Sequence, residues 1–199
     1  MNWERLAVLA ILSYLLGSIP FGYLVGKYWK GVDVRRRGSG NIGATNVLRI
    51  LGPGPALAVL AGDMGKGALS VYLGWVAGGT TGAMVCGIAA AAGGAWSVFL
   101  GFGGGKGMGV GSGIVLASMP LVALVLVPVW GVLVALTRYV SLGSIVISAL
   151  APVAAYALGM PPEYVVLAAV VGGFAIIKHQ SNIKRLLARQ ERRLGEPAD

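Results

Sequence analysis

Six apolar runs dominate this chain: Leu6–Val25, Ala56–Ala77, Ala83–Leu100, Met108–Leu136, Val140–Leu158 and Tyr164–Ile177. A helix needs about 20 apolar residues to cross the hydrocarbon of a bilayer, fewer where it is untilted or re-entrant. Only 12% of the 199 residues are charged, against about 25% in a soluble domain, and the mean hydropathy is +0.79. The chain therefore reads as an all-α, polytopic membrane protein, a single integral-membrane domain over residues 1–199. Most cytosolic enzyme classes are excluded. The lone cysteine, Cys86, lies inside an apolar run, which rules out an internal disulfide and a cysteine-rich metal site.

The formal charge of +9 follows from membrane topology rather than from nucleic acid, because the basic residues flank the apolar runs. Six simple crossings, with the loop 26–52 cytoplasmic, would export the tail 178–199 and its Lys178, Lys184, Arg185, Arg189, Arg192 and Arg193. That opposes the tendency of basic residues to stay inside. The fourth run contains Ser118-Met119-Pro120, and proline ends a helix near the residue before it. Splitting there gives a short helix over 108–117 and a longer one over 121–136. Seven segments then place the N-terminus outside and the tail in the cytoplasm. Fourteen of the 16 basic residues become cytoplasmic, leaving Arg5 outside and Lys66 within a span. Glu4 beside Arg5, and the lack of a clear small-residue cleavage site, argue against a cleaved signal peptide.

Three polar elements fall on the cytoplasmic side: loops near 27–52 and 101–113, and the tail 178–199. The first contains Gly38-Ser39-Gly40-Asn41-Ile42-Gly43-Ala44-Thr45-Asn46, with Arg49 about a turn later. It satisfies G-x-G-x-x-G, yet Arg35-Arg36-Arg37 and apolar segments flank it instead of a βαβ unit, so a dinucleotide fingerprint is excluded. What remains is a loop of unpaired N–H groups and small donors suited to phosphate, or a plain interfacial loop. The second loop, Leu100–Gly107, approaches a P-loop, but Leu100 and Gly107 stand where that motif needs Gly and Ser or Thr. Its glycines before Lys106 suit a phosphate, or a glycine turn with a snorkelling lysine.

Asp63 and Lys66, at i and i+3 in an apolar segment, share a helix face. They read as a structural ion pair, or with Lys66 as part of a site. His179, the only histidine, stands with Asn182 at the start of the basic tail, able to act as base or donor. Arg185, Arg189, Arg192 and Arg193 read as solvated, lipid-facing charge. Asp63 is the one buried acid expected, so a two-metal carboxylate cluster lacks ligands, and no G-x-S-x-G nucleophile elbow occurs.

Three motifs in this order, Gly38–Arg49 (GSGNIGATNVLR), Val98–Gly107 (VFLGFGGGKG) and His179–Leu186 (HQSNIKRL), resemble those of the acyl-phosphate:glycerol-3-phosphate acyltransferases called PlsY. Asp63-Met64-Gly65-Lys66-Gly67 resembles that family's D-x-x-K-G. The likeness spans essentially the whole chain and implies seven helices with the N-terminus outside. It implies transfer of a fatty acyl group from acyl phosphate to the 1-hydroxyl of glycerol 3-phosphate, giving lysophosphatidic acid and phosphate, without cofactor or metal. The implied location is a bacterial inner membrane with the site on its cytoplasmic face. The implied partners are the two substrates, membrane lipids and a soluble acyl-phosphate synthase, with no nucleic acid.

By the same resemblance, His179, Asn182 and Ser39 are catalytic. Gly40, Asn41, Thr45, Asn46, Arg49, Lys66, Gly104, Gly105 and Lys106 hold phosphate and substrate. The base is His179 or the substrate's own phosphate, and the absence of a carboxylate to orient the imidazole favours the phosphate. The chain departs from the family pattern at Gly94 (usually His), Gly103 (basic), Val110 (Thr), Gln180 (Arg) and Ser181 (Glu). A divergent non-catalytic paralogue, or a membrane transporter or binder of a phosphorylated metabolite, is the alternative. A transporter would show paired repeats and a midplane site, and neither is evident.

Overall fold

The structure, a computed structural model, describes residues 2–196; the last three residues of the expected tail element lie outside these. It is all-helical. Helix α1 (Trp3–Ser18) is capped by the Asn2 side chain, which accepts the Arg5 N–H at 3.0 Å. Pro20 breaks the first apolar run, and the chain continues as α2 (Phe21–Leu24) and a π-helical turn, Val25–Trp29. After a 3-10 turn at Val34–Arg36 come α3 (Ala44–Leu51) and α4 (Pro53–Ala95). Then follow α5 (Met108–Ser118), α6 (Pro120–Thr137), α7 (Val140–Ala157), α8 (Pro162–Lys178) and α9 (Gln180–Leu187). Pro53, Pro120 and Pro162 each sit in a first helical turn, where a missing N–H costs nothing.

The break expected at Ser118-Met119-Pro120 is present: α5 ends at Ser118 and α6 starts at Pro120. Helix α4 is two limbs, because Gly78 and Gly79 leave helical geometry and Gly79 takes φ +59. A Cβ on Gly74 would lie 2.2 Å from the Gly82 carbonyl oxygen, so the limbs 53–77 and 80–95 fold back in backbone contact. The expected run Ala83–Leu100 is shorter than the sequence implies. Its helix stops at Ala95, and Ser97 pairs with Gly103 across a turn instead. The apolar residues Val98 and Phe99 beyond it are exposed.

By length and composition, Trp3–Trp29, Pro53–Ala95, Pro120–Thr137 and Val140–Ala157 can cross a membrane, while α8 bends by 59° into α9 and α5 has only 11 residues. Small residues let the backbones meet. Gly17 packs on Ala90 and Gly93 on Tyr14, joining α1 to the second limb of α4. Gly67 meets Val110 and Gly113 meets Met64, joining the first limb to α5, and Gly172 meets Ser148 between α8 and α7. The shared core includes Ala83, Ala90, Ile114, Met119, Val122, Ala155 and Leu167.

Candidate active site

One end of the bundle gathers the three motif elements. The loop 38–46 lies on α2, where a Cβ at Gly22 would fall 1.7 Å from the Ile42 carbonyl oxygen, so only glycine admits the loop. The same loop touches the second motif: a Cβ on Gly105 would come 3.5 Å from Ile42 and 3.8 Å from the Asn41 carboxamide oxygen. Ser97 ties the second motif to α1, its hydroxyl donating to the Ser18 carbonyl at 2.6 Å.

Three N–H groups of the first loop are already engaged within it. Ser39 N–H donates to Asn46 Oδ1 at 2.9 Å, Gly40 N–H to the Arg37 carbonyl at 3.0 Å, and Gly43 N–H to Asn41 Oδ1 at 2.8 Å. Gly105 N–H likewise donates to the Gly94 carbonyl at 3.2 Å. These donors shape the loops, so they are not the ones that would meet an anion. Asn46, expected on substrate, is instead buried at the loop's centre. Its Nδ2 reaches the carbonyls of Val34 (3.1 Å), Arg37 (3.3 Å) and Asn41 (2.8 Å). Ser39 and Gly40 form the exposed lip, Thr45 lies in the first turn of α3, and Gly104 packs on Ala95.

Lys66 is engaged within the fold. Its ammonium meets Asp63 at 2.7 Å and donates to the Ile19 carbonyl at 2.7 Å, with the Phe21 ring 5.6 Å away. Pro20 has no N–H and interrupts the helix just beyond Ile19. The bland reading of this lysine, a structural ion pair, is the one the geometry favours.

His179 caps α8 and is 2% exposed. Its Nδ1 lies 2.7 Å from the Ala175 carbonyl. A carbonyl only accepts, so Nδ1 carries the proton and Nε2 keeps a lone pair. A backbone oxygen thus orients the ring, the task for which the sequence offered no carboxylate. Burial, aided by the charge of Lys106, pushes the imidazole pKa down to about 4, so the ring is neutral at pH 7. Burial, with the charges of Arg185 and Arg49 and against that of Glu191, also lowers Lys106 to about 8.

Glu191 is the residue the sequence reading missed. It lies in the segment after α9, its side chain 6% exposed. Its Oε1 accepts from Ser141 Oγ at 2.7 Å and from Asn182 Nδ2 at 2.5 Å, and its Oε2 from Arg185 Nε at 2.7 Å. Burial pushes its pKa up, but those three hydrogen bonds and the Arg185 charge outweigh it, so the group is held below the usual carboxylate range. Arg185 is therefore a site neighbour rather than lipid-facing charge. The available signal was that Glu191 is the only acid among residues 178–193. Arg49 is partly buried and senses Glu191, Arg185 and Arg192, and its Nε is buried without a partner.

The departures from the family pattern sort by place. Gln180, Ser181 and Gly103 are exposed. Gly94 and Val110 face each other inside: a Cβ on Gly94 would lie 2.9 Å from a Val110 methyl, so these two changes form one packed pair.

The family model for glycerol-3-phosphate acyltransferase matches residues 7–189. The chain belongs to that family. Among its relatives, a glycerol-3-phosphate acyltransferase of Synechococcus sp. (strain JA-3-3Ab) is 45% identical over 98% of this chain and 96% of its own. That of Syntrophomonas wolfei is 43% identical, with 96% and 98% covered. The fold is similar to a crystal structure of PlsY (YgiH), an integral membrane glycerol 3-phosphate acyltransferase, in its glycerol 3-phosphate form. That match has TM-score 0.91 and 40% identity, with 96% of each chain covered. The lysophosphatidic acid form gives TM-score 0.89 and 38% identity, with 96% of this chain and 95% of that one covered.

The acyltransferase should show a pH profile set by a lysine. In the free enzyme Lys106 is charged below about 8 and neutral above it, so anion affinity is retained on the acid side and lost on the alkaline side. Measured kcat/KM, which reports the free enzyme, falls above about pH 8. The kcat limb lies higher, because a bound phosphate favours the ammonium. No step assignable to His179 appears between pH 5 and 7. A histidine-dependent limb near 6.5 would contradict the buried, neutral ring.

Proposed function

We propose that this acyltransferase uses acyl phosphate as donor and glycerol 3-phosphate as acceptor, forming lysophosphatidic acid and inorganic phosphate at the cytoplasmic face of a bacterial cell membrane. The observation that carries this reading is an apolar cavity whose lining starts at the residue after Lys106. Gly107 and Met108 adjoin Lys106 and line a cavity of about 130 Å³ that continues past Ser112, Val115, Ile147 and Val171. A phosphate at Lys106 would leave an attached acyl tail in that cavity. The side chains of Arg49, Lys106 and Ser39 would hold the anions, charge-assisted contacts being the strong ones.

In this mechanism a glycerol oxygen attacks the acyl carbonyl carbon, and the carbon–oxygen bond to phosphate breaks. The phosphate leaves with the electron pair, and the hydroxyl proton ends on a phosphate oxygen. A phosphate monoester titrates near 6, above the value of about 4 held by His179, so the substrate is the stronger base. His179 Nε2 then orients the hydroxyl as an acceptor, and Asn182 stands one turn away. The basic residues of this end, from Lys27 to Arg193, argue for its cytoplasmic placement and an external N-terminus.

The test is purified protein in detergent with acyl phosphate and glycerol 3-phosphate, free of ATP and metal. Equimolar phosphate and lysophosphatidic acid is the expected result, and turnover with acyl-CoA alone would reassign the donor. The cavity predicts chain selectivity as well. Ser112→Phe fills it near Met108 and shifts preference toward shorter acyl phosphates; an unchanged chain-length profile would take the acyl tail elsewhere.

A further inference from the structure

Glu191 contributes to neither motif nor bulk charge, yet its carboxylate is fixed from three directions. The segment carrying it is pinned to the α6–α7 junction: Leu194 N–H donates to the Arg138 carbonyl at 2.7 Å, and Arg138 donates back to the Leu194 carbonyl at 2.6 Å. The Arg193 guanidinium lies 5.4 Å from the Tyr139 ring centroid. Gln190 N–H donates to the Arg185 carbonyl at 2.8 Å, turning the chain back from α9. Glu191 is thereby delivered against Asn182 and Ser141.

A carboxylate only accepts hydrogen bonds, so it admits one orientation of a neighbouring carboxamide. Asn182 is 3% exposed and presents Nδ2 to Glu191. Its Oδ1 is left buried with no partner, a rare and costly state for a polar atom. An acceptor held in that condition three residues from His179 matches a substrate group that donates, and a glycerol hydroxyl is such a group.

We propose that Glu191 is a positioning residue: its carboxylate locks the Asn182 carboxamide so that Oδ1 accepts a hydroxyl of glycerol 3-phosphate. Ser141 and Arg185 hold the carboxylate in register for that purpose. The proposal rests on glycerol 3-phosphate being the acceptor and is indifferent to the acyl donor.

Glu191→Gln keeps the shape but can present either an acceptor or a donor, so Asn182 loses its fixed orientation. It also removes a negative charge near Arg49, Lys106 and Arg185, which by itself tightens anion binding. The two effects have opposite signs and separate cleanly. Binding of glycerol 3-phosphate and of inorganic phosphate is measured by calorimetry at pH 6.5 on wild type, Glu191→Gln, Asn182→Ala and the double variant, with Tm recorded for each. In Glu191→Gln, phosphate binds at least as tightly as in wild type, while glycerol 3-phosphate loses about 10-fold relative to phosphate, the scale of one hydrogen bond. Asn182→Ala shows the same selective loss, and the double variant loses no more selectivity than Asn182→Ala alone.

Equal weakening of both ligands would overturn the proposal in favour of a merely structural carboxylate, as would unchanged selectivity. Additive losses of selectivity in the double variant would show that Glu191 does not act through Asn182. A wild type that binds glycerol 3-phosphate but fails with acyl phosphate rejects the donor alone and leaves the Glu191 comparison intact. A wild type that does not distinguish glycerol 3-phosphate from phosphate rejects the acceptor and the positioning role together.

Discussion

With acyl phosphate, the proposed donor, Lys106→Met lowers kcat/KM by about 30- to 150-fold, the equivalent of about 2–3 kcal/mol for one lost charged contact. The size follows from the loops themselves. The N–H groups of Ser39, Gly40, Gly43 and Gly105 are engaged within the protein, so the backbone of these loops can compensate only in part. Lys106→Arg separates charge from titration. Arginine stays protonated throughout the range of the assay, so this variant keeps part of the activity and loses the alkaline limb near 8. Wild-type kinetics for Lys106→Met would remove the glycine loop from the site.

Lys66→Met produces an effect of comparable size on a different quantity. The substitution leaves Asp63 without its cation and the Ile19 carbonyl with only the Phe21 N–H as donor, and breaking such a buried pair costs about 3–5 kcal/mol. For a chain of this size that is roughly 10 °C of Tm, read by thermal unfolding in detergent. The kinetic constants of the molecules that remain folded stay close to wild type. Asp63→Asn combined with Lys66→Met recovers most of the loss, since removing both charges of a buried pair is often close to neutral. An unchanged Tm with a raised KM for glycerol 3-phosphate would return Lys66 to the site.

Much of the helical plan is readable from the sequence because its signals are local. Ser118-Met119-Pro120 marks the α5–α6 break through proline's missing N–H. The motif residues His179, Asn182, Lys106 and Arg49 announce themselves as rare polar groups beside apolar runs. What sequence hides is which polar group meets which. Lys66 and Lys106 are both lysines near glycines, yet one is absorbed by a broken helix end and the other stands where the charges of Arg49, Arg185 and Glu191 reach it. Asn46 and Asn182 are both buried asparagines, one saturated by backbone carbonyls and the other left with a bare oxygen. Glu191 does not stand out from the basic tail in sequence, because the turn that carries it inward depends on contacts with Arg138, Tyr139 and Ser141, some 50 residues earlier.

The same long-range clamp has a consequence for the order of folding. The groups assembled at the bundle's end run from Asn41 to Glu191, across most of the described chain. Contacts of such large sequence separation close late, because loop entropy must be overcome before they form. Helix content can therefore be complete while the site is still open. On refolding from denaturant, far-UV dichroism should recover first, and substrate binding should return only when the segment after α9 seats against α7. A partly assembled chain in the membrane would then be helical, compact and inert.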